Sequence, residues 1–449
     1  MRVLIVGGGN VGLAAAKAAL VGNDVHILEC DVNVAETVKN ILPVSIIKGD
    51  ASNPRVLRNA LERIKPNVIL SAVRDDAINV FVCLNAKHMR PQIRTIACIR
   101  NPEFVDIEED KFEGVDVLIS PDKLSVEKMI NVAILENAVN YERLDIGSYG
   151  LCTFKIEKGH DIVGKTVMNL DLPGDCAIAA IIRGETTITD ISTTEIHVDD
   201  RIIVFGSWSS FEKFNDLIGI KKEAREFVVL GAGHIGLSVA KQISEMSDKI
   251  FVKILDNDME RCREAAKQLR KVIVVRGNIV DPQFLRSESI ERADALISVT
   301  DIDERNLLAC MTSLRFGIRK IVSRYSIEEY EGVFKYAGIE SVTGYHKLIM
   351  NEVTRNLRTT EHCFVHVMEQ PGSFCLAYKL DSASPLRDRY FGDVVVPDGV
   401  NIFAIIRDGR TLFPDLTTKF QKGDDVLLFT HKTDFIQLTN LLGKNVPEF

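Results

Sequence analysis

Long apolar runs and paired cysteines are both missing from this sequence. Its longest apolar stretches, such as residues 176–183, fall well short of the ~20 residues that a membrane-spanning helix needs, and no charged leader precedes the first strand. The nine cysteines are scattered, with no C-x-x-C pair, which is typical of proteins in a reducing compartment. We therefore expect a cytoplasmic protein without a membrane span or a signal peptide.

Basic clusters are missing as well. The chain has 55 lysines and arginines against 63 aspartates and glutamates, a net charge of -8, and no Lys/Arg-rich block. Binding to a nucleic-acid backbone requires a basic face, so we exclude nucleic acid as a partner. With 449 residues, of which 46% are hydrophobic, the chain is long enough for two or more folded domains.

Motifs of catalytic and metal sites are equally scarce. The sequence contains no G-x-S-x-G, no H-E-x-x-H and no paired Cys/His arrangement, which are common signatures of hydrolases and metalloenzymes. His362 and His366 would share one face of a strand, but a metal ion would need further ligands. We predict no catalytic residue and no metal site.

The sequence does contain a duplication. The segment "VLIVGGGNVGLAAAKAAL" at 3–20 recurs as "FVVLGAGHIGLSVAKQIS" at 227–244. Further along, "VILSAVRDDAIN" at 68–79 matches "ALISVTDIDERN" at 295–306. Such long-range self-similarity indicates that one folded arrangement occurs twice in the chain.

Each half changes its pattern part of the way along. Short apolar runs first alternate with helical patterns, which predicts βαβ units and a parallel sheet. Short alternating strands and one helix follow, which predicts a small α+β domain. The predicted fold class is α/β, a tandem duplication of a Rossmann-like parallel-sheet domain followed by a small α+β domain. The predicted bounds are 1–147 and 226–358 for the Rossmann-like domains, and 148–219 and 359–449 for the small ones.

Both copies carry G-x-G-x-x-G between a strand and a helix, which is the context that a dinucleotide-binding fingerprint requires. The first glycine permits a tight turn, the second lets the backbone approach a pyrophosphate at the helix N-terminus, and the third allows close helix packing. The alternative is a Rossmann-like domain that has lost its ligand. The predicted loop residues are Gly7, Gly8, Gly9, Asn10, Val11 and Gly12, and in the second copy Gly231, Ala232, Gly233, His234, Ile235 and Gly236.

An acidic residue ends the second strand of each copy. Glu29 and Asp256 are placed to accept hydrogen bonds from ribose hydroxyls. A carboxylate at this position would repel a 2′-phosphate, and no arginine stands beside it in the sequence. The pattern therefore favours NAD(H) over NADP(H).

Other positions leave alternatives open. Arg100 and Arg324 end matching strands, where each could clamp a phosphate or form a surface ion pair. His234 could contact a phosphate or point to solvent. The segment "GHDIVGKT" at 159–166 matches a phosphate loop letter for letter, but Pro173 prevents the long helix that must follow such a loop. We predict a simple turn there.

The duplicated motifs resemble those of the potassium-transport nucleotide-binding family, also called RCK domains. The resemblance covers the whole chain and rests on "GGGNVG…ILECD…GDAS…DDAIN…IACIRNP" and its second-half partners, and on "VGKTVMNLDLP" and "VDDRIIVFG". It implies a homotetrameric gating ring whose partner is the membrane subunit of a Trk-type potassium channel. The chain would then lie on the inner face of the cell membrane through that partner.

The resemblance also implies roles for single residues. The two glycine loops would hold phosphates, and Glu29 and Asp256 would hold the ribose. Val73 and Asn278 depart from the threonine and aspartate that the family usually has at these positions. The remaining implied contacts are Asp50, Ala51 and Asn278 near the adenosine, Arg100 and Arg324 near phosphate, and Val73 and Thr300 at the strand end.

We interpret the chain as a nucleotide-sensing regulator of a Trk-type potassium transporter and not as an enzyme. The resemblance implies NAD(H), ATP or ADP as the ligand. One alternative is an NAD-dependent oxidoreductase with an unrecognised substrate site, and another is a regulator of a cation/proton antiporter. A bound nucleotide would shift the angle between the Rossmann-like lobes, and the helices after the segment 120–135 would carry that shift across the dimer interface.

Overall fold

The apolar runs 3–6 and 68–71 form central strands that are buried along their whole length, as expected when helices cover both faces of a sheet. The computed structural model describes residues 1–101, 113–144, 146–219, 224–358, 363–368, 370–433, 435–443 and 446. The first sheet is parallel and consists of β1 (Arg2–Val6), β2 (Asp24–Glu29), β3 (Ser45–Lys48), β4 (Val68–Ser71), β5 (Arg94–Cys98) and β6 (Val117–Ile119). Its order is β3-β2-β1-β4-β5-β6, so the strand order reverses between β1 and β4, where such sheets bind ligands.

Capping residues in the sequence start the helices between these strands. Asp31, Asn53 and Asp75 each accept hydrogen bonds from backbone N–H groups of the following first turn. These bonds satisfy donors that a helix N-terminus otherwise leaves free. The helices are α1 (Asn10–Ala19), α2 (Val32–Ile41), α3 (Pro54–Ile64), α4 (Asp76–Met89) and, after β6, α5 (Pro121–Ile134).

The first small sheet is antiparallel and follows directly. Its strands are β7 (Ala138–Arg143), β8 (Gly150–Lys155), β9 (Cys176–Arg183), β10 (Thr186–Ile188) and β11 (Arg201–Gly206), in the order β10-β9-β11-β8-β7. Helix α6 (Trp208–Ile218) packs beside them. Because β7 pairs with β8, the predicted boundary at 147/148 cuts through this sheet. We therefore correct it to a boundary near residue 135, which fits the strand pairing.

The second half repeats the parallel sheet. Its strands are β12 (Glu226–Leu230), β13 (Phe251–Asp256), β14 (Val272–Arg276), β15 (Ala295–Ser298), β16 (Lys320–Tyr325) and β17 (Ser341–Gly344), in the order β14-β13-β12-β15-β16-β17. The helices are α7 (His234–Met246), α8 (Met259–Gln268), α9 (Pro282–Ser287), α10 (Asp303–Arg315), α11 (Tyr330–Tyr336) and α12 (Tyr345–Arg358). We call β1–β6 with α1–α4 the first lobe, and β12–β17 with α7–α11 the second lobe.

A second small antiparallel sheet completes the fold. It consists of β18 (Cys363–Val367), β19 (Ser373–Lys379), β20 (Val400–Arg407), β21 (Arg410–Leu412) and β22 (Asp425–His431), in the order β18-β19-β22-β20-β21, and is followed by α13 (Phe435–Leu442). The predicted fold class is thereby confirmed. Residues 359–362, where the last domain is predicted to begin, lie outside the described residues, and the other domain bounds stay predictions.

Two helices are exchanged between the lobes. Met129, Ile130 and Ala133 of α5 are buried in the hydrophobic core of the second lobe. In the other direction, Ile349 and Val353 of α12 are buried in the core of the first lobe. Each lobe therefore completes its core with a helix from the other half, and the two lobes are joined by apolar burial as well as by the chain.

The two small sheets pack against each other. Phe205 and Phe403 meet across this contact, with ring centroids 5.2 Å apart, and both belong to one apolar cluster that contains residues of both sheets. Over the described ranges, no helix is both long and apolar enough to span a bilayer.

Candidate functional sites at the two glycine loops

The first glycine loop lies at the carboxyl end of β1, and two of its glycines are required by space. Gly7 has φ +95°, and a Cβ there would lie 2.9 Å from the Ala72 carbonyl oxygen. A Cβ on Gly12 would lie 1.9 Å from the Gly7 carbonyl oxygen, because α1 packs directly over the turn. These contacts give physical reasons for the first and third glycines of the motif.

The middle glycine has a different role. Gly9 is the N-cap of α1, makes no side-chain cap and has ordinary extended dihedrals, and a Cβ there would meet nothing within 4 Å. The second loop is equivalent, with Gly233 as the N-cap of α7. Each loop thus leaves the first-turn N–H groups of a helix without a side-chain acceptor, which is the arrangement that binds anions.

The predicted ribose acids hold the loops in place. The buried carboxylate of Glu29 accepts hydrogen bonds from the Gly8 N–H at 2.5 Å and the Asp31 N–H at 2.8 Å. In the second lobe, Asp256 accepts from the Ala232 N–H at 2.7 Å and from the Asp258 N–H at 2.8 Å. Carboxylate oxygens can each accept more than one hydrogen bond, so both acids keep capacity for ribose hydroxyls beside the loop that they orient.

The predicted adenosine-end residues form the same turn in both lobes. Asp50 accepts a hydrogen bond from the Ser52 N–H at 2.9 Å, and its hydrogen bonds with Ser52 lower the pKa of Asp50. Asn278 accepts in the same way from the Val280 N–H at 3.3 Å. The change from aspartate to asparagine therefore keeps the turn and removes only the charge, and Ala51 is buried beneath it.

Two buried asparagines connect the strand ends, and the sequence analysis missed their role. Asn79 accepts from the Ser71 hydroxyl and the Val73 N–H and donates to the Val73 and Cys98 carbonyl oxygens, at 2.7–2.9 Å. Asn306 makes the corresponding bonds, including those to Thr300 and to the Arg324 carbonyl oxygen. The sequence did contain a signal for this shared role, since both matched segments, 68–79 and 295–306, end in asparagine.

The strand-end residues Val73 and Thr300 lie against the glycine loops. Val73 Cγ1 and Thr300 Cγ2 each lie 3.1 Å from the position that a Cβ on Gly7 or Gly231 would occupy. The Thr300 hydroxyl donates to Asn306 at 2.7 Å, so it is engaged within the protein. The implied ligand contact of Thr300 stays a prediction.

Arg100 and Arg324 do not occupy equivalent positions, which corrects the strand match inferred from sequence. The two buried asparagines donate to the carbonyl oxygens of Cys98 and Arg324, so these two residues correspond. Likewise Asp76 accepts from the Arg100 N–H, whereas the corresponding Asp303 accepts from the Ser326 N–H. Arg100 thus corresponds to Ser326. Arg324 therefore lies two residues earlier in its lobe than Arg100 does. The sequence match was wrong because a single shared arginine does not determine the register of two strands.

Both glycine loops open onto one cavity between the lobes, with a volume of about 260 Å³. Arg100 is exposed at its edge, whereas Arg324 is nine-tenths buried, with its guanidinium 4.6 Å from the centre of the Tyr345 ring. The Nε of Arg324 has no hydrogen-bond partner among the described residues. The cavity lining from the loops is Asn10, Val11, Gly233, His234 and Ile235.

His234 bonds across the lobe interface. Its Nε2 lies 2.8 Å from Asp122 Oδ2 at the start of α5, and the Tyr345 hydroxyl donates to the other oxygen of this carboxylate. The hydrogen bond with Asp122 raises the pKa of His234, although burial and the charge of Arg324 act in the opposite direction. The side chain of His234 thus joins the second loop to an exchanged helix.

We expect Asp122→Asn to lower the pKa of His234. A histidine with a raised pKa contributes stability that is fully present below its unfolded pKa and is lost as the pH rises through the folded value. The interlobe bond should therefore weaken on the alkaline side, and an NMR titration of the imidazole signals measures the shift. His88 lies on α4 away from this contact and serves as the internal control. An unchanged His234 titration in the variant would contradict this assignment.

His366 and the segment that matches a phosphate loop have structural roles. His366 Nε2 lies 2.6 Å from Glu142 Oε2 in a buried pair. Burial alone would raise the pKa of Glu142, but His366, together with Lys128 and Asn140, lowers it to about 2. His362 lies outside the described residues. Residues 167–169 form only a short 3-10 turn, so the segment at 159–166 does not open the helix that a phosphate loop requires.

Together these features define the class of the protein. Each of two parallel sheets has a glycine loop and a buried acid at its topological switch point, which is the arrangement of a Rossmann-like dinucleotide-binding domain. The chain contains two such domains in tandem, each followed by a small antiparallel domain.

The chain belongs to the family of proteins built from TrkA-N and TrkA-C domains, which confirms the resemblance drawn from sequence. The TrkA-N domain matches residues 3–121 and 227–344, which together exceed half of the chain. The TrkA-C domain matches residues 151–219 and 375–443.

Similar proteins match over nearly the whole chain. Trk system potassium uptake protein TrkA homolog 1 of Methanosarcina mazei is 27% identical over 439 residues, covering 96% of this chain and 97% of that protein. Trk system potassium uptake protein TrkA of Vibrio alginolyticus is 24% identical and is matched along its full length. The GsuK RCK domain and the GsuK channel bound to NAD have the same fold, with TM-scores of 0.66 and 0.65 at 18% identity, covering 98% of this chain and 93% and 78% of those chains.

Proposed function

We propose that this chain is the nucleotide-sensing regulatory subunit of a Trk-type potassium transporter, with NAD(H), ADP or ATP bound at its two glycine loops. The observation that carries the proposal is the single cavity onto which both loops open, between lobes that exchange helices. Relatives named as Trk potassium uptake proteins match the whole chain. GsuK, which shares the fold, has been solved with NAD and with ADP.

A sensor without catalysis accounts for the site better than an oxidoreductase does. A dehydrogenase needs a substrate domain beside the nicotinamide and a group that transfers a proton. The small sheets instead pack on each other, and the residues that line the cavity all belong to the two lobes or to the starts of α5 and α12. His234, the nearest acid–base candidate, is paired with Asp122.

The exchanged helices α5 and α12 connect the nucleotide cavity to the rest of the ring-forming subunit. Asp122 and Tyr345 stand at the first turns of α5 and α12 and line the cavity. A ligand that fills the cavity contacts both helices, and α5 leads directly into β7 of the first small sheet. Ligands that differ in size or charge would thus favour different angles between the lobes. A ligand shifts this equilibrium only by its differential affinity for the two arrangements.

Exposed apolar side chains on the second lobe support self-association into the ring. Leu308 and Met311 lie one turn apart on α10, and Val333 and Tyr336 lie one turn apart on α11. Tyr336 is 96% exposed, and exposed apolar patches on a folded protein commonly mark interfaces. The tetrameric stoichiometry and the placement on the inner membrane face follow from the family resemblance.

Thermodynamic linkage tests this function. The affinity of the full chain for NADH and for ADP is measured by calorimetry, alone and with the detergent-solubilised membrane subunit of a Trk-type transporter. The proposal expects the membrane subunit to change nucleotide affinity by the same factor by which nucleotide changes the affinity for the membrane subunit. Equal nucleotide affinities in both conditions would refute the coupling. Steady oxidation of NADH with a small carbonyl compound would favour the oxidoreductase, and coupling only to a cation/proton antiporter would favour that alternative.

A further inference from the structure

The two lobes carry opposite charges at one matched position, just beyond the strands β4 and β15. Ser71 and Ser298 correspond, because each donates its hydroxyl to the buried asparagine of its lobe. Counting on from these serines, Arg74 of the first lobe corresponds to Asp301 of the second. Both residues lie one step beyond the strand-end residue that contacts the first glycine of the loop.

Asp301 lies between two arginines at the second loop. Its Oδ2 is 3.4 Å from Arg261 Nη2 and its Oδ1 is 3.2 Å from Arg324 Nη1. Arg261 also reaches the loop itself, since its Nη1 lies 3.7 Å from the position that a Cβ on Gly233 would occupy. Two guanidinium groups at this loop are therefore already paired with an exposed carboxylate of the same lobe.

Among the residues that the structure describes, no carboxylate pairs with an arginine in this way at the first loop. The N-caps of α2 and α8 correspond, so Val34 occupies the position of Arg261, and Val34 Cγ1 lies 3.2 Å from a Cβ built on Gly8. Arg74 and Arg100 are exposed, and neither forms an ion pair with another residue in the described ranges. The positive side-chain charge at the first loop is thus unpaired in the described ranges, whereas at the second loop Asp301 offsets one of the two arginine charges.

We propose that the matched position of Arg74 and Asp301 determines how much negative charge the nucleotide bound in each lobe carries. Arg74 makes the first site prefer a nucleotide with a free terminal phosphate, such as ADP, whereas Asp301 makes the second site prefer a dinucleotide such as NADH. This inference rests on the nucleotide binding proposed above. In the second lobe, a terminal phosphate must displace Asp301 from Arg261 and Arg324 or lie beside a like charge.

The physical basis is the charge of the phosphates. Each phosphate of a dinucleotide has one ester and one anhydride linkage and carries a single negative charge, whereas the terminal phosphate of ADP has a second ionisation near neutral pH and carries more negative charge. Two unit charges about 4 Å apart near a protein surface change a binding constant by on the order of tenfold or more, depending on the local dielectric. One charge reversal beside the loop is therefore large enough to change the preferred ligand.

Calorimetry on variants that isolate each site tests this inference. Gly233→Asp disables the second loop and leaves the first, and Gly9→Asp does the reverse. ADP and NADH are titrated into each full-length variant without divalent cations, and the ratio of the ADP to the NADH dissociation constant is compared. The ratio should be on the order of tenfold lower at the first site. Arg74→Gln should raise the first ratio, and Asp301→Asn should lower the second, each by a similar factor.

Matched substitutions control for net charge. Arg58→Gln and Glu185→Gln make the same charge changes on exposed surfaces away from the loops and should leave both ratios unchanged. Equal ratios at the two sites, or ratios that Arg74→Gln and Asp301→Asn do not change, would overturn the inference while the nucleotide-binding function stands. Absence of binding by both nucleotides in both variants would overturn the function as well.

Discussion

Gly9→Asp is expected to abolish nucleotide binding in the first lobe while leaving the fold intact. The substitution places a carboxylate at the N-terminus of α1, where the ligand phosphate would lie. Like-charge repulsion there should weaken binding by about a hundredfold or more, since two charges at such distances interact by up to ~4 kcal/mol near a surface. The backbone has ordinary extended dihedrals, and a Cβ meets nothing within 4 Å, so the melting temperature should stay unchanged.

Gly12→Ala provides the contrast for this result. Its added Cβ would lie 1.9 Å from the Gly7 carbonyl oxygen. Because this oxygen belongs to the backbone, relieving the clash requires a displacement of the loop that costs free energy. Overpacking of this kind costs about 3 kcal/mol, so Gly12→Ala should lower the melting temperature as well as the affinity. Calorimetric titration and thermal unfolding of both variants separate the two roles. Unaltered nucleotide binding in Gly9→Asp would contradict the assignment of the loop as a phosphate site.

Asn79→Ala is expected to damage both the stability and the first nucleotide site. Asn79 is fully buried and bonds to the backbone of Val73 and Cys98. Its removal leaves several buried polar groups unpaired, and each such group costs about 1 to 3 kcal/mol. We expect a loss of about 3 kcal/mol in the free energy of unfolding. The loops beyond β4 and β5 should also lose their fixed positions, which weakens nucleotide binding in this lobe.

Asn85→Ala is the matched control on the same helix. Within the described ranges its side chain bonds to the Phe81 carbonyl oxygen at the helix surface, so its loss should have little effect on stability or binding. Asn306→Ala should reproduce the Asn79→Ala result at the second site. If Asn79→Ala unfolds at the same denaturant concentration as Asn85→Ala, the proposed role of the buried asparagine is wrong.

The sequence allowed prediction of the features that depend on local spacing. The alternation of strands and helices and the glycine loops follow from short-range patterns, and the duplication follows from the repetition of these patterns in the second half. The confirmed fold class rests on them. The boundary at 147/148 failed for a different reason. The segment 138–143 has the alternating pattern of a strand in either domain, and only its pairing with β8 shows to which sheet it belongs.

Contacts between distant segments could not be predicted. The apolar faces of α5 and α12 indicate that these helices are buried, but not that each completes the core of the opposite lobe. The correspondence of Cys98 with Arg324 likewise depends on hydrogen bonds from buried asparagines. The ion pairs of Asp301 join residues that are far apart in the sequence, so the charge difference between the two sites became visible only in three dimensions.

The central claim is that this chain binds nucleotides at both glycine loops without transforming them. Its most direct test is calorimetric titration of the wild-type chain with NADH, NAD, ADP and ATP, with the absorbance of NADH followed afterwards. The account predicts saturable binding at one site per lobe, no turnover of NADH, and the loss of one site in each of Gly9→Asp and Gly233→Asp. Failure of all four nucleotides to bind would contradict it, because the loops would then have no ligand to sense.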